Sequence, residues 1–507
     1  MKNLTRTLLF GGALCSVASC TQQKVAQRPN VLYIMTDQQN YDMMSCMVGN
    51  DFISTPNMDR IAAQGYNFVQ SYCANPVSMP SRFTLSSGMP ASMVGVKGNS
   101  QSGIDAEKLE LYSSNALGNI FGRAGYESVY FGKTHLYGKP ANYGYDVIND
   151  EPYDEGCQAA VEYLDSRKES SDKPFFMFVS FMNPHDICYS AGLDPRYPDH
   201  LKGAQAEATK YYLKLKDEMP AELYQSQIPP RMPNEEFMIS DPNDKDMPDP
   251  ARLKSSGADY RTWADFEQDQ FRWMYCRLTE SVDALIGQVL DALERTGEKD
   301  NTIIIFTSDH GELLGAHGYR TKSLLFEECQ RVPFIFAGPG IKKGVMDRET
   351  LTCNGYDLLP TLCDFIGVEA PDYLPGISLK PLLTGRDKEQ EQRKYIVTEC
   401  SNAFQITDGV NKLTVCEFDG YPRIFTNLEQ DPHEKVNMLK DERYTQIIAT
   451  MQAELDRVLE QRGVEKGLKN VTSTNGSKSN SVNNKVMYVN QSKADAKAAE
   501  AVAKRKK

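Results

Sequence analysis

The chain has 507 residues, of which 40% are hydrophobic and 24% are charged. This length exceeds the size at which one hydrophobic core keeps growing, so we expect a large domain and a smaller one. The net charge of -12 and the isoelectric point near 5.2 argue against a nucleic-acid partner, whereas a local basic pocket for an anionic substrate is compatible with both.

The N-terminus has the features of an export signal. Lys2 and Arg6 precede an apolar stretch, residues 8–18, which is too short to span a bilayer. The segment then ends in Ser19-Cys20, which resembles the end of a bacterial lipoprotein signal with Cys20 as the lipidated first residue of the mature protein. A plain cleaved signal is the alternative. We therefore expect an exported lipoprotein of a Gram-negative bacterium, either periplasmic or on the cell surface. Its lipid would hold it at the membrane.

Twelve cysteines are scattered along the chain without the short paired spacings of a zinc ribbon or a compact disulfide framework. Export permits disulfides, but the sequence does not specify which cysteines pair. No segment after the signal is long and apolar enough to be transmembrane.

The first predicted strand covers residues 31–36, an apolar run typical of a buried parallel strand. It is followed by Asp37-Gln38, and ligands of open α/β sheets collect at the carboxyl ends of the strands. Asp37 is therefore a candidate metal ligand, although an acidic residue after a strand is often only a turn former. A helix is predicted next over residues 55–65, with a Thr cap, a Pro in its first turn and a Gly at its end.

The stretch Ser78-Met79-Pro80-Ser81-Arg82 predicts the start of a helix that runs toward Gly88. Because Pro suits the first helical turn, we expect the helix to begin near Pro80, with Ser78 just before it at the positive end of the helix dipole. A serine there has two interpretations. It is either a nucleophile, or the precursor of one, that faces an oxyanion, or it is an ordinary N-terminal cap.

Two further predicted strands are followed by residues capable of acid–base chemistry. A helix over 116–125 leads to a strand over 128–131, after which come Lys133 and His135. A strand over 173–181 is followed by His185. The alternative interpretation is a solvated lysine and hydrogen-bonded histidines in turns.

The periodicity is lost between residues 190 and 264, apart from a modest helix over 204–218. A region of this length without regular structure is usually functional or disordered, and we interpret it as an insertion that shapes substrate specificity. Apolar residues then recur at helical spacing from Leu278 to Leu293, which predicts a helix packed on the sheet. A strongly apolar strand over 301–306 follows, with Asp309-His310 after its end.

The pattern changes again from about Glu399, where short strands over 412–418 and 423–427 precede a helix that ends near Arg462. Beyond Gly467 the chain is rich in Asn, Ser, Lys and Ala, as in low-complexity tails. The predicted organisation is a signal peptide over 1–19, a tether over 20–28, a catalytic domain over 29–398, a C-terminal subdomain over 399–462 and a tail over 463–507.

The motif Ser78-x-Pro80-Ser81-Arg82 resembles the signature of the type I sulfatases, in which a Cys or Ser at the first position is converted to formylglycine. The encoded Ser78 implies serine-type maturation and a formylglycine-generating maturase as a partner. The likeness extends over roughly residues 29–462. It implies an α/β fold like that of alkaline phosphatase, with a central mostly parallel sheet flanked by helices and a smaller C-terminal α+β subdomain.

The resemblance also implies a divalent metal site, with calcium as the expected ion. Its ligands would be Asp37, Gln38, residue Ser78 after modification, Asp309 and His310. Gln38 departs from the family pattern, which usually has a second Asp there. An amide oxygen can still coordinate a hard cation, but one negative charge is lost. Because imidazole suits softer metals, manganese and zinc stay open.

The other catalytic residues that the resemblance implies are Arg82, Lys133, His135, His185 and Lys322. Sulfate monoesters are anions, so the metal and the cations Arg82, Lys133 and Lys322 would neutralise charge before attack. In the family the formylglycine hydrate attacks sulfur. His185 or Lys322 would protonate the departing alcohol, and His135 would act as the base that allows sulfate to leave.

The expected function is hydrolysis of sulfate monoesters, with an O-sulfated glycosaminoglycan or mucin-type glycan as substrate; choline sulfate and aryl sulfates stay open. One alternative is a phosphomonoester or phosphodiester hydrolase of the same superfold, with Ser78 as the direct nucleophile. Another is a glycan-binding lipoprotein that has lost catalysis.

Overall fold

The computed structural model describes residues 28–167, 173–190, 204–236, 260, 263–386, 393–400, 403–416 and 420–464. The predicted signal peptide, Cys20 and the tail beyond residue 464 lie outside the described residues. Within the described ranges, none of the helices combines the length and the apolar character that crossing a membrane requires. The ten cysteines in these ranges are all free thiols.

A sheet of eight strands forms the centre of the larger domain, in the spatial order β5-β4-β6-β1-β7-β8-β2-β9. The strands are β1 Asn30–Asp37, β2 Gly65–Phe68, β4 Glu127–Gly132, β5 Asp146–Asn149, β6 Phe175–Pro184, β7 Thr302–Ser308, β8 Phe334–Ala337 and β9 Val345–Asp347. The five neighbours β5, β4, β6, β1 and β7 are parallel, whereas β8 is antiparallel to both β7 and β2. A separate parallel pair joins β3 Ser71–Tyr72 to β10 Thr352–Cys353. The predicted mostly parallel sheet is confirmed.

Helices cover both faces of this sheet. They are α1 Ser45–Val48, α2 Pro56–Ala63, α3 Ser78–Ser87, α4 Ala106–Ser114, α5 Leu117–Arg123, α6 Asp154–Ser166, α7 Ile187–Ser190, α8 Ala204–Glu218, α9 Ala221–Ser226, α10 Asp265–Thr296, α11 Glu327–Gln330, α12 Asn354–Ile366, α13 Lys380–Leu383 and α14 Thr445–Gln461. Tyr33 of β1 belongs to the apolar cluster that contains Phe83 of α3 and Leu358 of α12. Its neighbour Ile34 belongs to the opposite cluster, with Ile286 of α10. Successive strand residues point to opposite faces, so a continuous apolar strand needs helices on both.

One long helix begins well before its predicted start. α10 begins at Asp265, well before the predicted start at Leu278. Its first half carries buried polar residues such as Gln268 and Arg272 among the apolar ones, which weakens the helical periodicity of the sequence there. The predicted helix within the specificity insertion is confirmed as α8.

The C-terminal subdomain is an antiparallel sheet with one helix packed on it. Its strands, β11 Ile396–Cys400, β12 Ala403–Thr407, β13 Asn411–Cys416 and β14 Pro422–Asn427, lie in chain order. Met451 and Leu455 of α14 pack against the apolar side chains of this sheet. Lys412 of β13 is buried between Glu327, at 2.7 Å, and Glu434, at 2.9 Å, so an ion-pair network ties the subdomain to α11 of the larger domain.

Candidate active site

The predicted site residues lie at the carboxyl end of the parallel strands. β1 and β7 are direct neighbours, with Thr36 opposite Ser308, and this register brings Asp37 and Asp309 together. The loops after β4 and β6 carry Lys133 and His185 to the same edge of the sheet. Loops and strand ends 271 residues apart in the chain therefore form one buried cluster, as the topology of open α/β sheets predicts.

Ser78 is the first residue of α3 rather than the residue before it, which corrects the prediction that the helix begins near Pro80. Val77 is extended and occupies the cap position, and the Ser81 N–H donates to the Val77 carbonyl. Pro80 falls in the first turn, where its missing N–H costs nothing because those N–H groups have no partner within the helix. No side-chain hydrogen bond caps α3, so the ordinary-cap interpretation of Ser78 is wrong.

The Ser78 hydroxyl instead faces a candidate metal ligand and a candidate catalytic residue. Its Oγ lies 3.0 Å from His310 Nε2 and 3.1 Å from Lys322 Nζ. His310 Nδ1 lies 2.9 Å from the Gly311 carbonyl oxygen, which can only accept, so Nδ1 carries the proton and Nε2 accepts from Ser78. Burial and the nearby Lys322 ammonium hold the pKa of His310 well below its ordinary value, which keeps this imidazole neutral.

Asp37, Asp309 and His310 offer ligand atoms that all lie within 4.8 Å of one another. His310 Nε2 is 4.0 Å from Asp37 Oδ1 and 3.6 Å from Asp309 Oδ1. Asp37 Oδ1 is buried and accepts no hydrogen bond from the described residues. Because a buried carboxylate oxygen without a donor is costly, the donor set fits a divalent cation at this point.

The two carboxylates differ in their electrostatic surroundings. Burial raises the pKa of Asp309 to about 7, and the adjacent Asp37 carboxylate adds to the rise. Burial acts on Asp37 in the same direction, but the Lys133 ammonium, 2.7 Å from Asp37 Oδ2, and the other cations around it hold the pKa of Asp37 well below its ordinary value. Asp37 is therefore the more acidic of the two carboxyl groups.

Arg82 lies beneath the carboxylates and is 1% exposed. Its Nη2 donates to Asp37 Oδ2 at 2.8 Å and its Nε to Asp309 Oδ2 at 2.9 Å. Its Nη1 donates to Ser180 Oγ at 2.7 Å and to the Lys133 carbonyl at 2.9 Å. The expectation was that Arg82 neutralises the substrate; the structure instead assigns its donors to protein acceptors, so it positions the two carboxylates.

The side chain of Gln38 lies beside Lys322. Its Oε1 accepts from Lys322 Nζ at 2.8 Å. Its Nε2 donates to Glu312 Oε2 and contacts Cys188 Sγ at 3.2 Å. A carboxylate accepts only, so buried Glu312 fixes the orientation of the amide and directs its oxygen to Lys322.

Lys133, His135 and His185 line the same cluster. Burial and the Lys133 ammonium lower the pKa of His135 to about 4. Burial, Lys133 and Lys322 hold the pKa of His185 well below its ordinary value. Both imidazoles are therefore neutral near pH 7, and a neutral imidazole can accept a proton.

Three partners of the site residues were not assigned roles from the sequence: Ser180 and Glu312, which are buried, and Cys188, which is half-buried. Glu312 was within reach, because it stands two residues after His310 in the same strand-end motif. Ser180 is one polar residue inside a buried strand, and nothing in the sequence marks it as a partner of Arg82.

Comparison with known proteins agrees with this geometry. The family described as Sulfatase matches residues 29–368. The chain belongs to the sulfatase family. A second family, described as N-sulphoglucosamine sulphohydrolase, C-terminal, matches residues 315–461 of this sulfatase. Hydrolysis of sulfate esters is thus its activity, and a metal and formylglycine are general features of its family.

Two relatives from Bacteroides thetaiotaomicron cover most of this sulfatase. A Delta 4,5-hexuronate-2-O-sulfatase is 30% identical over 88% of this chain and 91% of the relative. An N-acetylglucosamine-6-O-sulfatase is 29% identical over 76% of this chain and 77% of the relative. Among solved structures, a 2-O GAG sulfatase superposes with a TM-score of 0.70 and 26% identity, over 86% of this chain and 93% of that one. The alkaline-phosphatase-like fold expected from the sequence is confirmed.

Proposed function

We propose that this sulfatase removes sulfate from an O-sulfated glycan of the glycosaminoglycan type and that Ser78 is the residue converted to formylglycine. The observation that carries the second part is the position of Ser78 Oγ, 3.0 Å from His310 Nε2 and 3.1 Å from Lys322 Nζ at the first turn of α3. The glycan class is supported by the named substrates of the two Bacteroides relatives.

As the hydrate of an aldehyde, residue 78 would supply a hydroxyl nucleophile to sulfur. Asp37, Asp309, His310 and residue 78 would hold a divalent cation, for which we propose calcium; the ion would supply positive charge beside the sulfate oxygens. Gln38 is not needed as a ligand in this arrangement, because its oxygen accepts from Lys322.

The remaining residues of the site have separate tasks. Lys133 and Lys322 bring two ammonium groups to the edge of the cluster, where they would bind the sulfate oxygens. His135 is neutral near pH 7 and would accept a proton from the residue 78 side chain. His185 is neutral too, so the N–H of its ring would donate a hydrogen bond to the bridging oxygen of the ester, and the Lys322 ammonium would supply the proton that the departing alcohol takes up.

The mass of the tryptic peptide 61–82 tests the modification in protein isolated from its own host. A peptide two hydrogens lighter than encoded supports formylglycine at Ser78, and metal analysis of the same sample should find calcium. Unmodified serine in active protein would overturn the mechanism and favour direct attack by Ser78. Turnover of an aryl phosphate but not an aryl sulfate would do the same.

The substrate class is tested by sulfate release from sulfated glycosaminoglycan disaccharides. Release from at least one of these, with a higher kcat/KM than for an aryl sulfate, is expected; turnover of aryl or choline sulfate alone would contradict the glycan proposal. We also propose that a formylglycine-generating maturase acts on Ser78 and that Cys20 anchors the exported protein. Labelling with a fatty-acid analogue that is lost in Cys20→Ser would support the anchor.

A further inference from the structure

A second cavity, with a volume of about 470 Å³, lies between the larger domain and the C-terminal subdomain. Met89 and Met93 line one side of it, and the segment 393–397 and the end of α14 line the other. Its size is that of an ordinary ligand pocket, and clefts between domains are common binding places. It begins beyond the last residue of α3, and a ten-residue helix is about 15 Å long, so the whole of α3 separates it from Ser78.

The charged residues that line this interdomain cavity are mostly basic. Arg393, Lys394, Arg457 and Arg462 line it, against the single acidic residue Glu454. Two of these cations are already neutralised: Arg393 by the buried Asp357, at 2.5 Å, and Arg457 by Glu454, at 2.6 Å. Neither Lys394 nor Arg462 has a carboxylate within ion-pair distance in the part of the chain that the structure describes. Two of the four cations therefore lack a carboxylate at ion-pair distance, and Lys394 interacts with Glu454 only at longer range.

Arg462 is the more informative of the two cations. Among the described residues its Nη2 makes two long contacts, 3.4 Å to the Tyr356 hydroxyl and 3.4 Å to the Val397 carbonyl. Its Nη1 is buried and has no acceptor among the described residues. A buried charged donor without an acceptor is costly, and the planar guanidinium fork matches the oxygens of a sulfate or carboxylate. These contacts indicate an anionic ligand.

Tyrosines give the cavity a second recognition element. Tyr373 is 37% exposed, and the Lys394 ammonium lies 5.0 Å from the centre of the Tyr395 ring. Aromatic rings offer broad apolar faces with a polar edge, which suits the C–H face of a sugar ring beside its hydroxyl groups. Cations and aromatic faces together match a sugar that carries an oxyanion.

We propose that this interdomain cavity is a binding site for an anionic sugar unit of a sulfated glycan, separate from the site of hydrolysis. Arg462 and Lys394 bind the sulfate or carboxylate, and Tyr373 and Tyr395 contact the ring. The inference does not require Ser78 to be reactive. It predicts that the protein binds one sugar unit of the glycan chain at a distance from the sulfate ester that it hydrolyses.

The test uses the full chain with Ser78→Ala, so that the probe is not consumed, and a heparin-derived tetrasaccharide in isothermal titration. We expect the double variant Arg462→Gln, Lys394→Gln to raise the dissociation constant of one tetrasaccharide-binding site at least tenfold, or to abolish binding there. Lys394 is exposed, and Lys394→Gln alone should raise the same dissociation constant severalfold. The matched control is Arg443→Gln, an exposed cation of the same subdomain that pairs with Asp441 at 2.6 Å; it should bind as the parent does. Unchanged binding by the double variant would overturn the proposal.

Two further arms separate this inference from the proposed function. In the chain with Ser78 intact, the Arg462→Gln, Lys394→Gln variant should keep the parent kcat/KM for a small aryl sulfate. If kcat/KM falls by the same factor as the affinity for the tetrasaccharide, the cavity is not a separate site and the inference is overturned. An N- and O-desulfated tetrasaccharide shows which anionic group the cavity binds. If it binds with the affinity of the sulfated tetrasaccharide, the cavity binds the carboxylate; if it does not bind, the cavity binds the sulfate. Failure of every sulfated probe to bind the parent would also overturn it.

Discussion

Lys322 Nζ lies 3.1 Å from Ser78 Oγ and 2.8 Å from Gln38 Oε1, so one ammonium joins the first residue of α3 to the end of β1. The Gln38 amide is itself held by Glu312. A chain of contacts thus runs from a buried carboxylate to the residue proposed to react. The position of the ammonium depends on residues that do not touch Ser78.

Lys322→Ala is expected to lower kcat for an aryl sulfate by about 100- to 1000-fold, the usual loss when one preorganised charge at a reacting oxygen is removed. Lys322→Arg should recover part of the rate, because it restores the charge with a different geometry. Steady-state kinetics measures both. Lys139→Ala changes an exposed lysine and serves as control. A wild-type kcat in Lys322→Ala would exclude the proposed role.

Arg82→Met tests whether the guanidinium holds the site together. Removal of one partner of a buried ion pair leaves an uncompensated charge and typically costs about 3–5 kcal/mol. We expect a loss of that size in the free energy of unfolding by urea, and a smaller loss when calcium is present, because the cation replaces part of the missing charge.

Arg60→Met is the matched control for that measurement. Arg60 pairs with Asp291 and Glu294 at the surface, where a salt bridge contributes at most about 1 kcal/mol. Equal losses in the two variants would contradict the positioning role of Arg82.

Glu312→Gln tests the orientation of the Gln38 amide. In this variant Oε2 of Glu312 is no longer an obligate acceptor, so the Gln38 amide can rotate and turn its oxygen away from Lys322. We therefore expect kcat to fall about 10- to 100-fold, the usual effect of removing a partner that orients a catalytic group. Gln38→Ala should have a similar effect. The double variant should lose no more than the worse single variant, because both act through Lys322. Additive losses in this kinetic cycle would show that Glu312 acts elsewhere.

The sequence was sufficient to predict which strand ends form the site, because a buried strand and the polar residues that follow it are encoded locally. The apolar run before Asp37 and the one before Asp309 predicted two strands, and the parallel topology brought their ends together. The structure places Arg82 and Gln38 beside the other site residues, in contact with Asp37, Asp309 and Lys322, which the sequence did not indicate. Partners depend on which side chains come together in three dimensions.

The start of α3 shows the same limit on a smaller scale. Pro80 signals a first turn, but a proline is tolerated at several positions of that turn, so the sequence could not place Ser78 inside or outside the helix. The extended conformation of Val77 decides this. Likewise, the sequence around Ser180 does not indicate its hydrogen bond with Arg82, because a serine within a buried strand can be assigned a partner only from the structure.

Stability should depend on pH through Glu328, which lies where the larger domain meets the C-terminal subdomain. Burial raises the pKa of Glu328 from 4.5 to about 7, and the hydrogen bond from Asn234 Nδ2, at 2.8 Å, only partly opposes the rise. Lys412 opposes the rise as well, whereas Glu327 adds to it. Between pH 4.5 and 7 the unfolded chain therefore loses this proton while the folded protein keeps it.

The sign of the effect follows from this difference in protons. The folded state binds more protons in that window, so the contribution of Glu328 to stability is greatest below pH 4.5 and falls as the pH rises to 7. We expect the free energy of unfolding of the wild type, relative to Glu328→Gln, to fall by about 2–3 kcal/mol over this range and to stay level above it. Urea unfolding at four pH values measures the difference, and other titrating groups cancel because both proteins contain them. The exposed Glu429→Gln should give no such slope. A difference that rises with pH would mean that Glu328 is ionised and stabilised by its partners.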